Sequence, residues 1–332
     1  MTMSQAMPYR IHDGRHITST DSTIGRFRMR VFFMGTPEIA VPSLKKISEK
    51  YDVCGVFCQP DKPVGRKHII TPPPVKVCAE ELGIPVFQPK KMRDGTAAKI
   101  VRDLMPDVIA VIAYGRILPD EILEIPRYGC LNAHASLLPK YRGSAPIQYS
   151  LLNDEKETGV SIIKLVTEMD AGDVLYTTRM GMEDEYDSEY LFSRMGEDSA
   201  DAFIEVIDNI DHYLENAVPQ DHSMATFAPP ITTEMSWMTF EDNARSAFCK
   251  IRAFCINPCA RIIFRGKQLI VTKASFDPET GVPGTVLSTK PLKIAFSNGS
   301  VVFGKVKPEG GKLMDGTAFA AGQRLKAGDS VL

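Results

Sequence analysis

The sequence predicts an α/β protein that begins with a Rossmann-like, doubly wound, mostly parallel sheet and continues into a small, OB-like C-terminal β-barrel. Short apolar runs alternate with helical stretches between residues 31 and 134, which is typical of parallel strands covered by helices. After residue 260, five short strands follow one another between Gly, Asn and Pro turns, as in small barrels. A length of 332 residues also favours two domains over one.

The elements of the first domain follow from local patterns of apolar residues. Strands are predicted at residues 31–34, 53–57, 86–87, 108–112, 130–134, 158–165 and 174–178. Helices are predicted at residues 38–49, 75–82, 98–104 and 188–214, the last being long and amphipathic. Ligands of such sheets bind beyond the carboxyl ends of the strands, where Gly35, Tyr114 and His134 fall.

The domain boundaries are predicted from changes in composition. Residues 29–215 form the first, catalytic domain, residues 216–234 a proline-containing linker, and residues 235–332 the second domain, with a helix at 243–253 and strands at 260–264, 268–274, 284–287, 293–296 and 300–307. Residues 1–28 have no apolar periodicity and are expected to be a disordered extension. They fit a transit peptide, or a start codon assigned upstream of a true start at Met29, but not a secretory signal.

Charge is distributed unevenly between these domains. Residues 29–234 carry 21 Lys and Arg against 32 Asp and Glu, whereas residues 235–332 carry 14 against 7. The net charge of −2 therefore combines an acidic first domain with a basic second one. A basic domain points to a polyanionic partner, although a merely solvated basic face has the same composition.

Several function classes are disfavoured by the sequence. Nucleotide binding is disfavoured because the first strand–helix turn reads Gly-Thr-Pro rather than G-x-G-x-x-G. The proline in this turn lacks the main-chain N–H that would bind a phosphate. The seven cysteines include no C-x-x-C pair, and buried thiols are favoured over a zinc site, so no metal is expected. No apolar run is long enough to span a membrane.

The candidate catalytic residues are Asn132, His134 and Asp170. Asn132 and His134 are two positions apart on a strand, so their side chains face the same pocket. Asp170 lies in a later Asp-x-Gly-Asp motif. An amide, an imidazole and a carboxylate that meet at one point can move a proton and stabilise an oxyanion.

The surrounding sequence resembles the folate-dependent formyltransferases. Asn-x-His is followed directly by Ser-Leu-Leu-Pro-x-x-Arg-Gly at residues 136–143, and Asp-x-Gly-Asp follows at residues 170–173. Further matches lie at residues 33–37, 59–66, 113–119 and 145–148, and C-terminal matches at residues 251–258 and 283–286. The resemblance covers residues 29 to 332. Its basic, proline-rich loop and its C-terminal part are similar to the branch of the family that acts on tRNA.

The resemblance implies the activity and the roles of residues. The formyl group of 10-formyltetrahydrofolate, the folate co-substrate, would pass to the α-amine of methionyl initiator tRNA through a tetrahedral intermediate without a metal. Asn132 and His134 would stabilise the oxyanion, and Asp170 would orient His134 and relay the amine's proton. The folate would be bound by Ser136, Leu137, Leu138, Pro139, Tyr114, Gly115, Ile117 and Leu118.

The tRNA contacts are expected around the same site. They are Gly35, Thr36, Pro37, Lys62, Arg66, Lys67 and Arg142, although an arginine at position 142 could equally serve a structural ion pair. The loop at residues 60–76 becomes less basic after Lys67 than is usual in the family. We expect a monomer in the bacterial cytoplasm rather than in an organelle matrix.

Three other interpretations are open at this point. If the chain were a transferase acting on a small amine, neither a basic barrel nor a basic loop would be expected, and the sequence predicts both. A non-catalytic tRNA-binding protein predicts the loss of at least one of the three candidate catalytic residues, and all three are present. A hydrolase of formylfolate shares these residues and is distinguished only by the C-terminal half.

Overall fold

The structure, a computed structural model, describes residues 28–65 and 68–332. The expected disordered extension therefore lies outside the described residues, except for Arg28. Arg66 and Lys67, both predicted as tRNA contacts, also lie outside them.

The strands and helices are numbered in chain order. The strands are β1 (Arg30–Gly35), β2 (Asp52–Phe57), β3 (Lys62–Val64), β4 (Ile69–Thr71), β5 (Val86–Phe87), β6 (Val108–Ile112), β7 (Cys130–His134), β8 (Arg142–Gly143), β9 (Glu157–Thr158), β10 (Ser161–Lys164), β11 (Val174–Thr177), β12 (Met180–Gly181), β13 (Phe227–Ala228), β14 (Trp237–Met238), β15 (Arg261–Phe264), β16 (Lys267–Asp277), β17 (Val286–Thr289), β18 (Leu292–Phe296), β19 (Gly299–Pro308) and β20 (Met314–Asp315). The helices are α1 (Val41–Lys50), α2 (Pro74–Glu81), α3 (Thr96–Leu104), α4 (Asp120–Leu123), α5 (Pro146–Leu152), α6 (Ser188–Asp208), α7 (Ile210–Glu215), α8 (Ala244–Ala253) and α9 (Gly316–Gly322).

The first domain is built on a seven-stranded sheet with the order β11-β10-β7-β6-β1-β2-β5. Strands β5, β2, β1, β6 and β7 are parallel, whereas β10 runs antiparallel to β7 and β11 antiparallel to β10. The predicted mostly parallel sheet is confirmed. The carboxyl ends of β1, β6 and β7 lie side by side, because Gly35 pairs with Ile112 and Val111 with Asn132.

Alternating side chains of the central strands pack on the two faces of this sheet. On β1, Val31 and Phe33 belong to the apolar core that includes α1 and α6, while Phe32 and Met34 pack with α3 on the other face. Successive side chains of a strand point to opposite faces of the sheet, and here both faces are covered by helices. The strand ends, where the candidate residues lie, are therefore supported by packed side chains on both faces.

The predicted helix over residues 188–214 is wrong in one respect. The structure has two helices, α6 and α7, separated at Asn209. The Asn209 side chain donates a hydrogen bond to the Glu205 carbonyl, 3.1 Å away, and so competes with the helical pattern of main-chain bonds.

The second domain contains the five predicted strands as β15 to β19, with bounds that differ by a few residues. Their order is β14-β15-β16-β19-β18-β17, and β20 pairs with β19. Among the described residues these strand pairs form an open path, so the expected barrel is not closed by strand pairing. Instead, main-chain bonds join residues 329–331 both to Gly284 and Val286 near β17 and to Arg265 after β15.

The two domains pack directly on each other. The Arg245 guanidinium of α8 lies 2.7 Å from Asp154 and 2.5 Å from Asp184, both of which belong to the first domain. The segment between the domains, predicted as a linker, also packs on the first domain, since β13 pairs with β8. No helix in the described part of the chain is long and apolar enough to cross a membrane.

Candidate active site

A cavity of about 530 Å³ opens at the carboxyl ends of β1, β6 and β7. One side is formed by the segment after β6, including Tyr114 and Leu118, and by the segment after β10, including Leu165. The other side is formed by residues before α1, in α5 and in α6. Asn132, His134 and Asp170 all line it. The three predicted catalytic residues are thus brought to one cavity.

His134 is the last residue of β7 and is buried, with 5% of its surface exposed. Its Nε2 lies 2.8 Å from the Tyr141 carbonyl oxygen. Because a carbonyl can only accept, Nε2 carries a hydrogen and donates it. The Nδ1 atom is then the ring nitrogen that is free to gain a proton, and it faces Asp170 at 3.6 Å.

Asp170 is held by the main chain. Its Oδ2 accepts a hydrogen bond of 2.8 Å from the Gly143 N–H, and it is the same oxygen that faces His134. Its backbone has φ +52°, a left-handed conformation that aspartate tolerates better than most residues. Gly143 has φ +119°, and a Cβ there would lie 2.7 Å from the Ala228 carbonyl oxygen, so only glycine fits.

Asn132 lies two residues before His134 on β7 and is partly buried. In the part of the chain that the structure describes, its side-chain amide has no hydrogen-bond partner. A polar group that lines a cavity without a protein partner can bind a ligand. Asn132 therefore presents a donor to whatever occupies the cavity, beside the His134–Asp170 pair.

The predicted folate-binding residues divide into two sets. Tyr114, Gly115, Ile117 and Leu118 line the cavity. Tyr114 is buried, which raises the pKa of its hydroxyl to about 12 and keeps it neutral. The residues Ser136, Leu137, Leu138 and Pro139 are not among those lining the cavity, and the Ser136 hydroxyl donates to the Lys140 carbonyl. Their contact with folate stays a prediction.

The predicted tRNA-binding residues lie around the mouth of the cavity and beyond it. Pro37 lines the cavity, while the Thr36 hydroxyl donates to the Tyr114 carbonyl at 3.1 Å and so braces the cavity wall. Gly35, the last residue of β1, packs within the sheet. Lys62 is exposed on a β3–β4 hairpin, where sequence analysis predicted an irregular loop.

Arg142 does not line the cavity. It is buried, with 2% of its surface exposed, and its guanidinium donates to the Gln220 side-chain oxygen from Nε at 3.1 Å and from Nη2 at 2.8 Å. It also lies 3.4 Å from Glu168. Of the two interpretations offered by the sequence, these contacts favour the structural one; tRNA binding by Arg142 remains a prediction.

Sequence analysis missed several residues of the cavity wall. They are Ile39, Ile147, Gln148, Phe192 and Ser199. Ile147 and Gln148 belong to the matched motif at residues 145–148 and could have been selected on that ground. Phe192 and Ser199 lie on α6, where an amphipathic pattern gives no sign that part of the helix faces a ligand.

No group of three or more acidic, histidine or cysteine side chains that could hold a metal ion occurs within residues 28–65 and 68–332.

The sequence matches two family models. Residues 28–207 match the formyl transferase family, and residues 230–324 match the formyl transferase C-terminal domain. A methionyl-tRNA formyltransferase of Macrococcus caseolyticus is 40% identical over 297 residues, covering 89% of this chain and 96% of that protein. A methionyl-tRNA formyltransferase of Dictyoglomus thermophilum is 39% identical over 309 residues, covering 91% and 99%.

Solved structures share the fold at lower identity. An N-formyltransferase from Helicobacter canadensis, in complex with folinic acid and dTDP-3-aminofucose, has a TM-score of 0.63 at 17% identity and covers 83% of this chain and 98% of its own. HypX from Aquifex aeolicus, in complex with tetrahydrofolic acid, has a TM-score of 0.59 at 17% identity. This chain is matched over 88% of its length but spans only 47% of HypX. Both domain matches and the identity to relatives over nearly their whole length show that the chain belongs to the methionyl-tRNA formyltransferase family.

Proposed function

We propose that this chain transfers the formyl group of 10-formyltetrahydrofolate to the α-amine of methionine carried by initiator tRNA. The observation that carries the proposal is the meeting of Asn132, His134 and Asp170 on one cavity at the strand ends. A relative that is 40% identical over 96% of its length bears the name of this activity. Formyl transfer needs an oxyanion donor and a group that takes up a proton, and the cavity offers both.

The folate would occupy the side of the cavity lined by Tyr114, Gly115, Ile117 and Leu118. A volume of about 530 Å³ lies within the usual size range of small-molecule sites. Apolar side chains there suit the faces of a flat pterin ring, and loop main-chain groups suit its polar edges. The residues present therefore fit a folate.

The reaction begins when the neutral amine attacks the formyl carbon. A new C–N bond forms, the carbonyl oxygen becomes an oxyanion, and the Asn132 amide donates to it. One such donor contributes about 3–4 kcal/mol to lowering the barrier. The intermediate collapses when the bond from carbon to N10 of the folate breaks, which releases tetrahydrofolate.

The proton of the attacking amine needs a path to the leaving nitrogen. His134 Nε2 already donates to Tyr141, so it is not placed to share in binding the oxyanion as the sequence predicted, and Nδ1 takes up the proton in place of the predicted relay through Asp170. The Asp170 carboxylate, 3.6 Å from Nδ1, stabilises the resulting imidazolium. The imidazolium then returns the proton to N10, so that the amine has lost one proton and the folate has gained one.

The tRNA would bind the basic second domain and the β3–β4 hairpin. Residues 235–332 carry 14 basic against 7 acidic residues, as a polyanion-binding domain requires. On the hairpin, Lys62 is exposed, as are the apolar side chains of Ile69 and Ile70 on the paired strand, both at 62%. We further propose that the chain acts as a monomer in the bacterial cytoplasm; the relatives that bear the name of this activity come from bacteria.

The test is formyl transfer from 10-formyltetrahydrofolate to methionyl initiator tRNA. Controls are free methionine, uncharged tRNA, an amino sugar and a His134→Ala variant. We expect transfer that requires the charged tRNA and falls about 10³-fold or more in the variant. Folate turnover without formylated tRNA would contradict the proposal and favour a small-amine transferase or a hydrolase.

A further inference from the structure

The three-residue segment 141–143 holds both members of the His134–Asp170 pair. The Tyr141 carbonyl accepts from His134 Nε2 at 2.8 Å, and the Gly143 N–H donates to Asp170 Oδ2 at 2.8 Å. Both contacts are made by the main chain on either side of Arg142. The distance from imidazole to carboxylate therefore depends on where this segment lies.

The Arg142 side chain fixes the segment from behind the cavity. Its two bonds to the Gln220 oxygen are both charge-assisted, and both side chains are buried, at 2% and 7% exposure. The strand containing Arg142 is also paired with β13, since the Arg142 N–H donates to the Thr226 carbonyl at 2.9 Å. Gln220 and Thr226 both belong to the segment between the domains.

Gln220 in turn holds the loop that carries Asp170. Its Nε2 donates to the Asp170 carbonyl at 2.8 Å and to the Gly172 carbonyl at 2.7 Å. A closed ring of contacts results, from His134 through Tyr141, Arg142 and Gln220 to Asp170 and back across the 3.6 Å gap. Every polar group of the Gln220 side chain is used, so a change on one side is transmitted to the other.

We infer that Arg142 and Gln220 are positioning residues that set the distance and orientation of Asp170 relative to His134. The inference rests on the proposed function, in which that pair moves the proton. Displacement of a catalytic group by about 1 Å can cost on the order of 100-fold in rate. Neither side chain touches the cavity, so their loss should lower kcat without weakening substrate binding.

The experiment compares Arg142→Ala, Gln220→Glu and the double variant with the wild type and Asp170→Asn. Gln220→Glu keeps an oxygen for Arg142 but sets a carboxylate oxygen against the two loop carbonyls, with little change in volume. We expect kcat to fall roughly tenfold to hundredfold in each single variant, with KM for both substrates changed less than about twofold. Arg142→Lys should recover part of the loss.

The control is Arg30→Ala. The Arg30 side chain donates to the Leu104 main-chain carbonyl and to the Asp52 carboxylate, is more exposed than that of Arg142, and lies at the opposite end of β1 from the cavity. We expect a lower Tm with unchanged kcat. If the Arg142 and Gln220 variants behave like the control, with a lower Tm and an unchanged kcat, the positioning role is wrong.

The double variant tests whether the two residues act through one ring. Because either change opens the same ring, the double variant should lose about as much kcat as a single variant, and multiplicative losses would overturn the inference. If the wild type transfers formyl groups and Asp170→Asn is slow, but the Arg142 and Gln220 variants keep full kcat, the inference fails while the proposed function stands.

A second measurement, nitrogen-15 NMR of the His134 ring, needs no substrate. The chemical shifts of the ring nitrogens should change in the Arg142 and Gln220 variants and not in Arg30→Ala. Unchanged shifts in the Arg142 and Gln220 variants would also overturn the inference.

Discussion

The two domains of this molecule use their polar residues in opposite ways. The first carries a net excess of acidic residues and places its reactive groups in a cavity, where main-chain groups and buried side chains fix them. The second carries a net excess of basic residues, many of them exposed on the strands and turns of an open sheet. In the proposed function, chemistry belongs to the first domain and long-range attraction to the second, so that kcat and KM should respond to different substitutions.

The strongest test of this comparison is Asn132→Ala. Since the amide has no hydrogen-bond partner among the described residues, its loss should leave folding intact and lower kcat by about 10²–10³-fold. Asn132→Asp, which keeps the shape but removes the donor, should lose a similar amount. Steady-state kinetics with both substrates and a thermal melt measure this. An unchanged kcat in Asn132→Ala would remove Asn132 from the mechanism.

The second domain is tested by reversing its exposed charge. Lys267 on β16 and Lys307 on β19 are exposed, and neither forms an ion pair within the described chain. In the Lys267→Glu, Lys307→Glu double variant we expect KM for the charged tRNA to rise roughly tenfold and the slope of log KM against log salt to fall by about 2, with kcat unchanged.

The control for this charge reversal lies in the first domain. Lys99→Glu changes an equally exposed lysine of α3, which pairs only with Asp103 one turn away. It should leave both KM and the salt dependence as they are. If it raises KM as much as the double variant does, attraction depends on total charge and the division between domains is wrong.

The smallest expected effect concerns the junction between the domains. Partial burial acts to raise the pKa of Asp154, but hydrogen bonds from Arg245 and Lys156 outweigh it and lower the pKa to about 2. A pKa below the usual 3.8 stabilises the folded state above that pH, and the stabilisation is lost as the pH falls from about 4 to about 2. Its size is about 2 kcal/mol.

This pH dependence can be measured by thermal unfolding between pH 6 and pH 2. Arg245→Ala should lower Tm at pH 6 and flatten the loss of stability in acid, whereas Lys156→Ala, at the exposed partner of Asp154, should have a smaller effect. Equal changes of Tm in the two variants would show that the inter-domain ion pair stabilises the fold no more than the exposed Lys156–Asp154 pair does.

The residues that sequence analysis located best are those whose position depends on local periodicity. Asn132 and His134 could be placed on one face of a strand because side chains alternate along it. Asp170 came from the family motif, and the structure brings it to the same cavity. The strand bounds of the first sheet were predicted within a few residues for another local reason, because buried parallel strands are continuous apolar runs.

The parts that were missed depend on contacts between distant residues. The prolines around residues 219–230 predicted a linker, yet Gln220 in that segment is hydrogen bonded to Asp170, 50 positions earlier. Two further contacts at the site are made by the main-chain carbonyl of Tyr141 and the main-chain N–H of Gly143. Because nearly every residue has these main-chain groups, the sequence gives no signal that would predict these two contacts.

The last residues of the second domain carry a consequence for how the chain can be handled. Residues 329–331 bond to the main chain of Gly284 and Val286 at the start of β17, which is an edge strand of the sheet, and to Arg265 after β15. An uncovered edge strand is a template on which other chains add strands. A chain that lacks residues 329–332 should therefore leave part of the β17 edge unpaired, and we expect it to self-associate although every residue that lines the cavity is retained.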